Sequence, residues 1–395
     1  MSTGAAEFLQ DTGGTVGSDQ GPGTQAIAAR SPLQLFWRRL RRDKVALVAL
    51  AFIVLLVLVA IFATQVISLT GQRPPNEQST KYLDAFGSAG PPTSANWFGT
   101  DGLGRSVFSR VLIGAQVSLK VAFLATAIIV VIGVTLGMVA GYFRGWTDTL
   151  LSRTMDVILA FPVLLLALGL GAACSFGNGC IQMNFNRVGL IVLAVGLIGA
   201  VATAAWRATR PVPEGSQPQR MSELVVGALP WLVLIVPGIA MLLFLKSRGA
   251  LIQPGLSVVI FIIALAGVPY MARIIRGQVL SLREKEFVEA ARSLGASDSR
   301  IIFRHILPNL VAPIIVYTTL IIPTNILFEA SLSFLGVGVQ PPTASWGSMI
   351  ADAISIFDTA WWYMTFPGVA LLVTVLAFNL VGDGLQDALN PRTGR

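Results

Sequence analysis

Long apolar runs, separated by short polar segments, dominate this chain. A helix needs about 20 predominantly apolar residues to cross a bilayer. Runs of that kind occur at 45–68, 114–140, 156–173, 188–206, 224–245, 253–272, 310–330 and 363–382. Lipid offers the backbone no hydrogen-bond partner, so helices, which satisfy their own backbone groups, are the expected answer. The pattern predicts an all-α, polytopic bundle of eight spans. Residues 1–30 are rich in Gly, Ser, Thr, Ala and Gln and have no apolar period, and the first run starts only at Val45. A disordered tail is therefore expected there, not a signal peptide.

The polar segments set the expected topology. FWRRLRRDK, residues 36–44, is a basic, aromatic-containing collar suited to an anionic cytoplasmic leaflet, which places the N-terminus inside. Alternation then puts 69–113, 174–187, 246–252 and 331–362 outside, and 141–155, 207–223, 273–309 and the C-terminus inside. The inside segments hold Arg144, Arg153, Arg207, Arg210, Arg220 and a dense set from Arg273 to Arg304, as the positive-inside rule asks. Lys246 and Arg248 fall outside and run against it.

Composition narrows the function classes. The chain has 395 residues, 54% of them hydrophobic and 12% charged, about half the charged share of a soluble domain. Lys and Arg exceed Asp and Glu by 28 to 20, but they flank apolar runs and form no basic domain, so nucleic acid is excluded as a partner. Asp156, Glu329 and Asp383 fall at or near span ends, which argues against a proton relay at a span centre. None of the five lysines follows a glycine, so no phosphate-binding GxxxxGK[ST] loop can be written. No Ser/His/Asp set and no metal-ligand cluster is visible. Catalytic, cofactor-binding and metal-binding residues are all expected to be absent, and any ATP must be hydrolysed by another chain. Cys174 and Cys180 lie in CSFGNGC; two free thiols and a small disulfide loop fit that spacing equally.

One charged passage interrupts the apolar pattern: EFVEAARSLGASDSRIIFRHILPN, residues 286–309. Phe287, Ala290, Ala291 and Leu294 recur at helical spacing on one face, with Glu284, Lys285, Glu289 and Arg292 on the rest. Gly295 suits the left-handed position that ends a helix, and Ser297 or Asp298 can cap the next one. The passage reads as helix, glycine turn, helix. Its small apolar face fits either an interfacial loop or the groove of a partner protein. His305 is read as a polar helix residue.

The same passage resembles the cytoplasmic EAA loop of binding-protein-dependent ABC importer permeases: Glu-Ala-Ala, three residues, Gly, then Leu-Pro. FWRRLRRDKVALVAL, FGTDGLGRSVFSRVLIGAQVSL, GYFRGWTDTLLSRTMDVILAFP, RIIRGQVLSLRE, EASLSFLGVGVQPPTASWG and FNLVGDGLQDALNPR are also similar to motifs of the family's dipeptide/oligopeptide branch, with Ser106 where Asp is usual. The resemblance is to the second permease subunit and implies the type I ABC importer permease fold. On that reading 1–35 is the tail and start of the collar, 36–113 the entry segment, first span and outer loop, and 114–395 the permease domain. One departure stands out: 170–253 holds two apolar segments beyond the family pattern, expected to be an added pair of spans.

The resemblance implies a subunit of an ATP-driven importer of di- or oligopeptides in a bacterial inner membrane, with both termini cytoplasmic. It implies a homologous permease, two ATP-binding subunits carrying ATP and Mg, and an extracytoplasmic substrate-binding protein as partners. Phe287, Glu289, Ala290, Ala291, Leu294, Gly295, Ser297 and Asp298 would couple to the ATPases. Trp97, Asp101, Gly104, Arg105, Ser331, Phe334 and Trp346 would shape the outer mouth or the binding-protein dock. The competing readings are a permease for nickel or another small solute and an ion-coupled secondary carrier.

Overall fold

The structure, a computed structural model, describes residues 40–175 and 254–389, together with Ala194 and Leu197. The expected tail, the apolar segment 224–245, the loop before it and all of 188–206 but Ala194 and Leu197 lie outside those residues. Among the described residues five helices are long and apolar enough to cross a membrane, or six if one bent pair counts as a single span. The long described helices trace to apolar runs, whereas Trp346–Ala353 and most of Gly145–Ala160 fall in segments expected to connect them.

Helix α1, Lys44–Ile61, starts at Asp43, whose carboxylate accepts from the amides of Val45 and Ala46, each at 3.0 Å. That bond satisfies two of the donors a helix start leaves unpaired. Phe62 interrupts the helix, and α2, Ala63–Leu69, completes the run. An outer loop then leads to α3, Val107–Phe143, which is 37 residues long, or about 55 Å. It outruns the hydrocarbon layer at both ends, which hydropathy alone could not show.

The expected span 156–173 falls on a broken helix. It is a bent pair, α4, Gly145–Ala160, and α5, Val163–Ser175, whose axes differ by 72°. The cause is Pro162: it cannot donate to a helix, and it holds Phe161 extended, at φ −78° and ψ 129°.

Helix α6, Pro254–Arg283, carries the next span and continues well past its apolar run. After α7, Glu286–Ser293, the chain re-enters the bundle through Asp298–Arg300 and a π-helical segment, Ile301–Ile306. Helix α8, Leu307–Phe334, follows without a break. Then come α9, Trp346–Ala353, opened by a reciprocal cap between Ser345 and Ser348, and α10, Trp361–Leu389.

The bundle is organised around α3 and α6. Half or more of their apolar windows is buried (50% and 56%), against 22% for α1 and 28% each for α8 and α10. The two run parallel, in the relative direction that the alternation of spans requires. Their contact rests on Gly133, Gly137 and Gly141, spaced four apart on α3. A Cβ at Gly133 would fall 2.7 Å from that of Met271, one at Gly137 2.6 Å from the Ala272 carbonyl oxygen, and one at Gly141 2.8 Å from the Val279 Cβ. Without a hydrophobic drive between helices in lipid, such close backbone approach is what holds a pair together. Helices α8 and α10 run antiparallel, and Gly384 of α10 meets Ala46 of α1. Residues 40 and 389 thus lie at one end of the bundle with α7, and the loops around Asp101 and Trp346 lie at the other.

Candidate functional site

At the α7 end, eight residues form a separate helix because charge and turn chemistry bracket it. Glu286 and Glu289 occupy its first turn and Arg292 its last, matching the helix dipole. Gly295 stops it at φ +77°. The Gly295 amide donates to the Arg292 carbonyl at 2.9 Å and the Ala296 amide to the Ala291 carbonyl at 3.0 Å, the paired bonds of a Schellman turn. Gly295 therefore holds the conformation expected of it.

The faces of α7 correct the expected grouping. Val288 and Ala291 are buried against the bundle core, whereas Phe287, Ala290 and Leu294 point away from it; Leu294 is 88% exposed. Ala291 thus anchors α7 to its own chain and leaves the outward apolar surface to the other three. Glu289 is exposed beside them. Ser297 occupies the cap position of the next helix, but its hydroxyl makes no capping bond. Asp298 does not cap either: its carboxylate accepts a hydrogen bond from the Tyr142 hydroxyl at 2.6 Å.

That bond belongs to a junction of three elements. Arg283, at the end of α6, donates to the Tyr142 carbonyl, and its guanidinium lies 5.6 Å from the Tyr142 ring centroid. An open groove of about 450 Å³ runs beside it, lined by Arg144, Arg283, Glu284, Glu289, Arg292 and Ser293. Three ion pairs join α4 and its entry turn to α6: Arg144 with Glu284, Asp148 with Arg276 (2.7 Å through Nη2) and Asp156 with Arg273 (2.6 Å).

At the opposite end the expected outer-face residues divide. Asp101 is buried; it pairs with Arg105 at 2.6 Å and Arg110 at 3.6 Å and accepts from the amides of Leu103 and Arg105. Gly104 is needed at φ +71°, and a Cβ there would meet the Ser79 carbonyl oxygen at 2.1 Å. Trp346 is fully buried and donates to the Val111 carbonyl at 3.1 Å. Asp101, Gly104, Arg105 and Trp346 therefore build the outer layer from inside and offer no docking surface. Trp97, Ser331 and Phe334 are exposed. Ser106, in place of the usual Asp, still stands at the N-cap of α3. The side chain of Cys174 and all of Cys180 lie outside the described residues, and so does their pairing.

Residues 219–395 match the family of binding-protein-dependent transport system inner membrane components, and residues 31–91 match the N-terminal membrane domain of oligopeptide transport permease C. The glutathione transport system permease protein GsiD of Escherichia coli O6:K15:H31 (strain 536 / UPEC) is 36% identical over 363 residues, 92% of this chain and 91% of the relative. Its counterparts in Shigella boydii serotype 4 (strain Sb227) and Escherichia coli O157:H7 match to the same extent. The chain belongs to the peptide-type ABC importer permeases.

Two features of this permease have no role that the sequence alone assigns. Glu329 is fully buried between α3 and α8, accepting from the Ser118 and Ser333 hydroxyls at 2.7 Å each. A glutamate at the end of an apolar run, with serines at 331 and 333, was the available signal. The π-helical segment between α7 and α8 was the other, and IIFRHI carries no local pattern that distinguishes it from an α-helix.

Proposed function

We propose that this permease is the transmembrane subunit of an ATP-driven importer of small peptides. It encloses one pathway with a homologous permease, takes its motion from two ATP-hydrolysing subunits bound at α7, and receives solute from a binding protein at the opposite end. The α7 end, with both described chain ends, faces the cytoplasm in this reading.

The observation that carries it is the outward face of α7. Phe287, Ala290 and Leu294 expose apolar surface on a short helix that Val288, Ala291 and the Gly295 turn pin to the bundle. A pinned helix with a small apolar face fits a partner's groove, and a population shift in an ATPase reaches the spans only through a contact of this kind. Peptide is the favoured solute because the relatives are named for glutathione, itself a small peptide.

The test is reconstitution of the full complex in vesicles with ATP inside or outside. ATP-dependent accumulation of di- or tripeptides that resists ionophores supports the reading. Uptake by this chain and its permease partner alone, under an ion gradient, supports a secondary carrier instead. Accumulation of nickel but not of peptides replaces the substrate class.

A further inference from the structure

The outward face of α6 is polar just where the helix leaves its apolar run. Tyr270, Arg273, Gly277 and Ser281 are all exposed and fall on one helical stripe. Arg273 stands about 19 residues from the start of α6, or about 28 Å along the axis, which places it at the edge of a hydrocarbon layer about 30 Å thick. Across from it on α4, Asp156 pairs with Arg273 at 2.6 Å, and both side chains remain half exposed, at 49% each. The pair is not sealed inside the chain; its polar atoms still face outward.

Gly277 and Ser281 lie beyond that edge, so the stripe and its half-open ion pair face water or another protein surface. On α4 the exposed surface also carries apolar side chains, Trp146, Leu150 and Val157. Gly277 has no atom within 4 Å of the position of an added Cβ, so the stripe has open space in front of it. It leads from Arg273 towards Glu284 and the groove beside α7.

We propose that this stripe is a wall of the translocation pathway at its α7 end, and that Arg273 and Asp156 receive the terminal carboxylate and ammonium of a zwitterionic peptide in transit. An ion pair half open to water is weakly held, and a zwitterion supplies both replacement charges at once. Arg273 offers a fork of donors to the carboxylate, while Asp156 accepts from the ammonium. The inference rests on the importer reading and names the part of the solute that this subunit contacts.

The test uses the whole complex in nanodiscs of neutral lipid, with Cys174→Ser and Cys180→Ser removing the native thiols and Gly277→Cys providing the probe. A charged, water-soluble thiol reagent should label it. Millimolar dipeptide with free termini should slow labelling, whereas the same peptide amidated or acetylated should not. Arg273→Gln should abolish the protection, since an ionic hydrogen bond of about 1.5–3 kcal/mol corresponds to a tenfold or larger loss of occupancy. An unlabelled probe means that another subunit or lipid covers the stripe and overturns the proposal. Equal protection by free and blocked peptides, protection that survives Arg273→Gln, or slowing by anionic lipid in place of peptide also overturns it. ATP-driven peptide uptake by the unsubstituted complex keeps the two readings apart. If uptake is present and protection fails, only this inference falls; if uptake is absent, the importer reading falls as well.

Discussion

The Tyr142 hydroxyl donates to Asp298 at 2.6 Å, tying the last turn of the central helix α3 to the segment that carries α7 back into the bundle. The ring of Tyr142 is buried, and its carbonyl accepts from Arg283. Three elements therefore share one side chain. Tyr142→Phe keeps the ring and the backbone bond and removes only the hydroxyl, a change of about 1–3 kcal/mol for a bond to a charged acceptor. Uptake at matched membrane levels should fall several-fold. Asp298→Asn, whose amide oxygen still accepts, should do less. Wild-type uptake by Tyr142→Phe would show that the junction carries no coupling.

Gly295 gives a second prediction. At φ +77° nothing crowds its Cβ position, so the cost of a side chain is one of backbone strain alone. A left-handed residue other than glycine costs roughly 1–2 kcal/mol, with Asn among the tolerant exceptions and β-branched residues among the worst. Gly295→Val should lower uptake strongly, whereas Gly295→Asn should stay near wild type; equal behaviour of the two would remove the conformational argument.

These two sites differ in how far the sequence exposed them. Gly295 was legible because an eight-residue helix followed by glycine leaves one backbone solution. The spans were legible because lipid forces apolar helices, but their lengths were not: hydropathy marks the bilayer, so α3 and α6 run on as polar helix beyond it. Ala290 and Ala291 looked alike because neighbouring positions on a short helix share a broad face; only Val288, packing inward beside Ala291, separates them. Asp101 and Trp346 looked like outer-surface residues because the loops around them are polar. The burial of Trp346 depends on a segment distant in sequence, through its bond to the Val111 carbonyl.

The glycine stripe between α3 and α6 can be tested by bulk. Gly137→Leu must push past the Ala272 carbonyl and Ile275, and overpacking of this kind costs about 1–3 kcal/mol or more. The variant should reach the membrane at a lower level and lose thermal stability in detergent. Gly277→Ala, on the open face of the same helix pair, should be neutral or slightly stabilising. A fluorescence-detected melting assay of both variants decides the matter, and a stable Gly137→Leu would contradict the packing described.

Glu329 calls for a chemical comparison. Its carboxylate accepts from Ser118 and Ser333, so Glu329→Gln keeps one acceptor oxygen, whereas Glu329→Ala leaves buried hydroxyls unpaired at about 1–3 kcal/mol. The alanine variant should melt at a lower temperature than the glutamine variant. The reverse order would mean that the charge of Glu329, not its hydrogen bonds, is what the fold retains.

The outward face of α7 offers the most direct test of the proposed coupling. Ala290→Glu and Leu294→Glu place charge where only a partner would bury it, at the high cost of an unpaired interfacial charge, and leave the chain's own packing untouched. Ala291→Glu serves as the contrast, because it strikes the core and should lower the level of the chain itself. The direct measurement is peptide uptake and ATPase copurification at matched membrane levels for Ala290→Glu and Leu294→Glu. The account predicts normal levels, at least tenfold lower uptake and loss of the bound ATPase; uptake and copurification like wild type would contradict it.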